Sequence, residues 1–256
     1  DVRLWEDDIP VDTLKFNNGW YISDIRPKEN SRYKVQVDVL DKVSVSAEDI
    51  VPAAPRITGL SYSDSSYFKN EFAYARLDID FYDPPEKNYY ELFLIEEIDS
   101  ADKKQLIDDY LQHLDSNGWE YDSSFYYSFY HNSKWLHGML SFNPAIQAEG
   151  KEFSDHSYHS LFFSDTYFIK SNCRIAVYIS HYESIFMPKK KYYTVILHTI
   201  SEEYYHYRKS LHQYNLSRKQ NYWTPTNSFS RLYSNIDGGT GLFAAYSSDA
   251  DTLIVE

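Results

Sequence analysis

The residues that could do chemistry in this chain fall into four groups. Asp155, His156 and His159, in the run DHSYHS, offer one carboxylate and two imidazoles, a donor set that suits a divalent metal such as zinc. The HxxH spacing lacks the glutamate of an HExxH helix, so the run reads first as a polar loop. Asp78 and Asp80 share a strand face and Asp108 adjoins Asp109, and paired carboxylates are what glycoside hydrolysis requires. Two acids on an outward strand face are usually just solvated. Cys173 alternates with Ile175, Val177 and Ile179, a pattern for a core thiol rather than a nucleophile. Gly238, Gly239 and Gly241 invite a phosphate cradle, but no Lys-Ser/Thr pair follows them. Leu242–Tyr246 comes next and reads as a buried strand, so the cluster reads as a glycine-rich turn. With no GxSxG elbow either, the expectation is a protein that is not an enzyme and needs no cofactor.

Binding is the better-supported chemistry. The chain holds 26 Tyr, 15 Phe and 5 Trp, and they are densest between Trp119 and Trp135. Trp119, Tyr126, Tyr130 and Trp135 are the ligand-binding candidates there, because rings in a loop stack on sugars, flat ligands or a partner surface. The same rings would equally serve to pack a preceding helix onto a sheet, and both readings stand.

Bulk properties narrow the partner. A net charge of -13 argues against nucleic acid and against lying on an anionic membrane surface. The basic run Lys189–Lys190–Lys191 reads as the solvated start of a strand. A single cysteine excludes an internal disulfide framework. No apolar run approaches the roughly 20 residues of a spanning helix. The chain starts at Asp1 without Met, which raises the expectation of a missing upstream segment such as a signal peptide.

Positioning these residues falls mainly to strands. Val2, Leu4 and Trp5 open one, and Asn17–Asn18–Gly19 turns the chain before Trp20–Tyr21–Ile22. Tyr33, Val35, Val37 and Val39 then alternate with polar residues, and Asp41–Lys42 turns into Val43–Ala47. A Tyr that opens a strand after the corner at Pro27 is similar to the tyrosine corner of immunoglobulin-like sandwiches. Four strands do not close a sandwich, so either one or more strands precede Asp1, which is the preferred reading, or this sheet packs on the next domain. Pro52 and Pro55 mark a linker at 53–58, between an immunoglobulin-like domain at 1–52 and a larger β-rich domain at 59–256.

In that larger region Leu77, Ile79 and Phe81 alternate, and residues 88–95 read as their hairpin partner after Asp83–Pro84–Pro85. The period shifts to helical at 101–116, with Ser100 as the N-cap and Asn117–Gly118 as the stop. Strands are expected at 161–169, 173–181 and 191–199. A second helix follows near 201–215, capped by Ser201 and striped by Tyr204, Tyr207, Leu211 and Tyr214. The fold class is therefore mainly β: an immunoglobulin- or fibronectin-like sandwich, then a larger β-sandwich-like domain decorated with two helices.

Pro225, Ser234, Asn235, Ile236, Gly238, Gly239, Gly241, Phe243 and Ala244 together resemble the C-terminal signature of a family of unknown function. Its members are predicted outer-membrane lipoproteins of Bacteroidetes, often encoded beside TonB-dependent receptors. Residues 33–52, 75–94 and 201–214 are similar to the family's other segments and occur in the same order. Thr240 departs from the large apolar residue more usual between the glycines. The resemblance implies a protein lipid-anchored at the outer membrane, at the cell surface, through an N-terminal Cys absent from this chain. It assigns no catalytic residues, and Asn235, Gly238, Gly239, Gly241 and Phe243 read as a structural motif.

The leading expectation is a non-enzymatic surface lipoprotein that assists a TonB-dependent receptor in capturing a small ligand, glycan or peptide. Adhesion or surface assembly is the alternative, and a surface hydrolase using carboxylates or the His–Asp group is a second.

Overall fold

The computed structural model describes residues 1–39, 43–69, 72–117, 133–136, 139–148, 160–168, 171–181, 190–220 and 231–256. The fold is mainly β, with antiparallel sheets and few helices. The chain divides into two compact units, Asp1–Ala54 with His198–Ser247, and Pro55–Leu197 with Ser248–Glu256. The helix near 201–215 and the glycine motif therefore belong with the N-terminal strands, although chain order groups them with the larger region.

In the first unit β1 (Val2–Glu6), β2 (Ile9–Thr13), β5 (Arg32–Val39) and β6 (Val43–Ile50) form one sheet in the order β2-β1-β5-β6. Asp7 and Asp8 join β1 to β2 with φ of 47° and 66°, the two left-handed residues of a tight hairpin turn. A second hairpin pairs β3 (Lys15–Asn17) with β4 (Trp20–Ile22) through Asn18 and Gly19, at φ 49° and 90°. The Asn-Gly turn is thus of the type its sequence predicts. Val39 pairs with Val43, and the turn expected at Asp41–Lys42 lies outside the described residues.

Tyr33 is buried, and its hydroxyl accepts the Lys28 N–H at 3.1 Å, five residues upstream. That is the bond of a tyrosine corner. Tyr33→Phe is expected to destabilise this unit by about 1 kcal/mol, since the ring stays packed while a backbone donor loses its acceptor. A chemical-denaturation midpoint indistinguishable from wild type would show the bond to be idle.

The first unit also holds a long helix, Glu202–Gln220. Ser201 caps it, accepting the Tyr204 N–H on its hydroxyl at 3.2 Å. Its most buried residues are Tyr205, His212 and Ser217, whereas Tyr204, Tyr207, Leu211 and Tyr214 are half-buried. The inward face is therefore rotated from the expected stripe. Ser217 can occupy it because its hydroxyl donates within the helix, to the Tyr214 carbonyl at 2.7 Å.

The second unit contains two sheets. One has the order β12-β8-β7, from β7 (Arg56–Lys69), β8 (Phe72–Asp83) and β12 (Ser171–His181). The other runs β10-β9-β13-β14, from β9 (Tyr89–Ile98), β10 (Ser133–Trp135), β13 (Lys191–Ile200) and β14 (Tyr246–Val255), with β11 (Ser160–Ser164) also on β9. Leu77, Ile79 and Phe81 of β8 and Cys173, Ile175 and Val177 of β12 share a core with Tyr90, Leu92 and Leu94 of β9 and Val195 and Leu197 of β13. Period-two alternation on both sheets gives each one apolar face, and the two faces close on each other as in a sandwich. Burial pushes the Cys173 thiol up to about 11, so it is an inert core group.

Four expectations are corrected here. β9 is not the hairpin partner of β8: β8 pairs with β7 and β12, and β9 lies in the opposite sheet. Pro84 and Pro85 have no N–H for a ladder. The chain instead turns through a buried polar corner, where the Tyr90 hydroxyl donates to Asp83 at 2.6 Å and the Asn88 amide donates to the Pro84 and Glu86 carbonyls. The first helix, α1 (Ser100–Asn117), is capped by Asp99 rather than Ser100, since the Asp99 carboxylate accepts the Ala101 N–H at 2.7 Å. β11 stops at Ser164, where a 3-10 turn at Asp165–Tyr167 begins, short of the expected 169. Residues 242–245 are not a strand; β14 starts at Tyr246 and alternates between half-buried and exposed. The short helix α2 (Pro144–Ala148) was not foreseen, and the helix Glu202–Gln220 is α3.

Candidate binding surface

The glycine motif is built from side chains that bond backbone. Asn235 closes its loop on Phe243 twice, donating to the Phe243 carbonyl at 2.7 Å and accepting the Phe243 N–H at 3.0 Å. The Ser234 hydroxyl accepts the N–H groups of Ile236 and Gly241. Asp237 and Ser46 exchange backbone bonds of 2.8 and 3.2 Å, so the loop covers the outer strand β6 of the first sheet. Gly238 has φ 74°, and a Cβ there would lie 3.2 Å from the Ser44 carbonyl oxygen. Gly239 would place one 3.2 Å from Ile236, and Gly241 adopts φ 150°. Buried Asp49 accepts the Ala245 N–H at 2.7 Å, and burial holds its carboxyl above the usual carboxylate range. The Ile236, Gly241 and Phe243 N–H groups are held by Ser234 and Asn235 and the Asp237 N–H by Ser46, so the motif serves to shape its loop and seat it on β6.

Other candidates are placed as follows. Trp119, Tyr126, Tyr130, Asp155, His156 and His159 lie outside the described residues. Trp135 sits at the end of β10, paired with Ile95 of β9. Asp78 and Asp80 do share an outward face, but each is bound to an arginine: Arg76 donates to Asp78 at 2.7 and 2.9 Å, and Arg174 to Asp80 at 2.6 and 2.7 Å. Arg174 holds the Asp80 carboxyl below the usual range, which suits an ion pair and not a general acid. Asp108 and Asp109 are exposed on α1, where Asp109 accepts from Gln105. Lys190 and Lys191 pair with Glu256 and Glu96.

The strongest binding feature went unread in the sequence. Every residue of β3 and β4 is exposed, including Phe16 at 66%, Trp20 at 73%, Tyr21 and Ile22. Phe16 and Tyr21 are cross-strand partners with ring centroids 5.2 Å apart. Ile9 and Ile25, near the hairpin in sequence, are exposed as well. A two-stranded ribbon is marginal alone, and one carrying large apolar side chains in water is the mark of a surface that meets a partner. The signal was present in Trp20–Tyr21–Ile22, three consecutive apolar residues where a half-solvated strand would alternate.

The first unit also has an open groove of about 570 Å³ lined by His206, Lys209, Ser210, Gln213, Arg231 and Tyr233. Tyr233 is pinned there, its N–H on the Ser210 hydroxyl at 2.8 Å and its own hydroxyl on Glu203. That bond to Glu203 pushes the phenol up to about 12, so it remains a donor at neutral pH.

The family model described as Domain of unknown function (DUF4249) matches residues 1–252. The chain belongs to that family. No curated protein and no solved structure matches it. The DUF4249 match takes in both compact units, so the glycine loop and the aromatic hairpin both lie within the family's span. It indicates no enzyme family. No helix among the described residues is long and apolar enough to cross a membrane.

Proposed function

We propose that this DUF4249 chain is a non-enzymatic binding protein, anchored at the bacterial outer membrane and exposed at the cell surface. It docks on a TonB-dependent receptor and assists capture or uptake of a nutrient. The exposed aromatic hairpin β3–β4 carries the docking reading. Trp and Tyr dominate binding hot spots, and a solvent-exposed Trp at the tip of a rigid Asn-Gly turn offers a large anchor at little entropic cost. The net charge of -13 favours a protein partner over an anionic lipid surface. Resemblance to lipoproteins encoded beside such receptors supplies the identity of the partner. The arginine-bound state of Asp78 and Asp80 supports the non-enzymatic part.

The test is a pull-down of the full-length, lipid-anchored protein from mild-detergent outer membranes, with companions identified by mass spectrometry. A TonB-dependent barrel is expected in stoichiometric amount with wild type, and about tenfold less with Phe16→Ala plus Trp20→Ala. Recovery of the protein without a barrel would replace this reading with a free-standing surface adhesin. Equal recovery with the double variant would move the contact away from the hairpin.

A further inference from the structure

The outward face of the β12-β8-β7 sheet is organised by two arginine–aspartate pairs. Because Leu77, Ile79 and Phe81 point into the core, Arg76, Asp78 and Asp80 point out. The register sets Arg174 opposite Asp80, Ala176 opposite Asp78 and Tyr178 opposite Arg76. On the other side of β8, Ser61 lies opposite Asp78 and Ser63 opposite Arg76. Asp78 is thus flanked by two small residues and covered by the Arg76 guanidinium, which leaves its side chain 16% exposed.

A wall stands along the free edge of β12. Leu140 and Tyr178 exchange backbone bonds of 2.9 and 2.7 Å, the Ser141 hydroxyl donates to the Ala176 carbonyl at 2.8 Å, and the Asn143 amide donates to the Arg174 carbonyl at 3.3 Å. The Asn143 side-chain oxygen accepts the Ala145 N–H at 2.9 Å at the start of α2. These bonds hold Phe142 beside Tyr178, with ring centroids 5.2 Å apart, while Phe142 stays 53% exposed. Arg76, Phe142, Asn143, Arg174, Ala176 and Tyr178 enclose a cleft of about 340 Å³ with Ala176 as the small residue in its lining.

We infer that this cleft binds a neutral polyhydroxylated ligand, the end of an oligosaccharide. Charge decides the class. Each arginine of the cleft carries its own aspartate, so an anion would face two carboxylates and a cation two guanidiniums. Neither gains a net attraction. A sugar ring has an apolar C–H face and vicinal hydroxyls that both donate and accept. The exposed Phe142 ring supplies the stacking surface, the lining guanidiniums and the Asn143 amide are donors in fixed directions, and the aspartates paired with those arginines are the acceptors beside them. Strand register and ion pairs pre-orient these groups, which limits the ordering lost on binding. The volume lies at the low end of the range for ligand sites, which fits a chain end rather than a long glycan. The site is in a different compact unit from the hairpin and does not depend on its docking role.

Calorimetric titration of the whole chain with maltohexaose, cellohexaose, xylohexaose, mannohexaose and a β-1,3-linked glucose hexamer tests this, with trigalacturonate as the anionic control. At least one neutral hexaose is expected to bind, and Phe142→Ala to weaken it about tenfold or more. Ala176→Gln, which fills the cleft from an outward position, is expected to abolish binding, and Trp20→Ala to leave it unchanged. Thermal melts superimposing on wild type verify that the variants fold. No binding by any neutral hexaose, preference for trigalacturonate, or binding indifferent to both Phe142→Ala and Ala176→Gln would overturn the inference. Any of these would leave the barrel pull-down intact, so the two conclusions fail separately.

Discussion

Phe81→Ala is expected to destabilise the second unit by about 3–5 kcal/mol, the largest effect of any single truncation considered for this chain. Phe81 is fully buried on β8 and meets rings from elements far apart in sequence. Its centroid lies 5.2 Å from that of Tyr90 on β9, 6.4 Å from Phe163 on β11 and 5.8 Å from Phe168. Removing it opens a cavity between two sheets held at their spacing by many other strand residues, so collapse is limited. The change should appear as a lower denaturation midpoint with an unchanged slope. Tyr82→Ala, one residue on and facing outward at 43% exposure, is the control and should shift stability by no more than about 1 kcal/mol. A loss below about 1.5 kcal/mol for Phe81→Ala would mean that the rings repack and that they do not jointly set the sheet spacing.

The second large effect is expected at Asn235. Asn235→Ala removes both bonds to the Phe243 backbone and leaves a part-buried N–H and carbonyl unanswered, for a loss of about 2–3 kcal/mol. Asn235→Asp keeps an acceptor for the Phe243 N–H but turns a second oxygen toward the Phe243 carbonyl, so it should restore little of that stability. Hydrogen exchange locates the damage: amides of 234–243 and of the β6 edge around Ser46 should lose protection while those of β8 and β12 keep theirs. Uniform loss of protection across both units would contradict a local, loop-stapling role. The result bears on function because it separates a scaffold motif from a binding one. A scaffold variant weakens partner binding only in proportion to unfolding, whereas Trp20→Ala should weaken it in a folded chain.

Local patterns in the chain were read at single residues. The Asn18–Gly19 turn, the Ser201 cap, the inward Cys173 and the Tyr33 corner all follow from interactions within a few positions or from strict alternation along one strand. Such signals are local because φ preference, capping and the two-residue period act over one to five residues. His212 is buried although a polar ring carries no apolar mark, so the apolar stripe of the helix does not locate its inward face.

Which strand pairs with which was settled only in three dimensions. Asp83–Pro84–Pro85 punctuates the chain equally well before a hairpin or before a crossing to the opposite sheet; pairing β8 with β7 and β12 while β9 faces them decided it, through burial of Phe81 against Tyr90. Arg174 and Asp80 are 94 positions apart, and nothing near either predicts the ion pair that removes Asp80 from acid–base chemistry. The sequence by itself determined a mainly β chain, its turns and which residues of each strand turn inward, because those are properties of neighbouring residues. Tertiary structure alone decided that the glycine loop covers β6, that Phe142 and Ala176 line one cleft and that the Phe16–Trp20–Tyr21–Ile22 hairpin faces water. Alternation along a strand shows which side chains share a face, and unbroken apolar runs such as Trp20–Tyr21–Ile22 mark a strand as unusual, but whether a face is covered depends on what the rest of the chain packs against it.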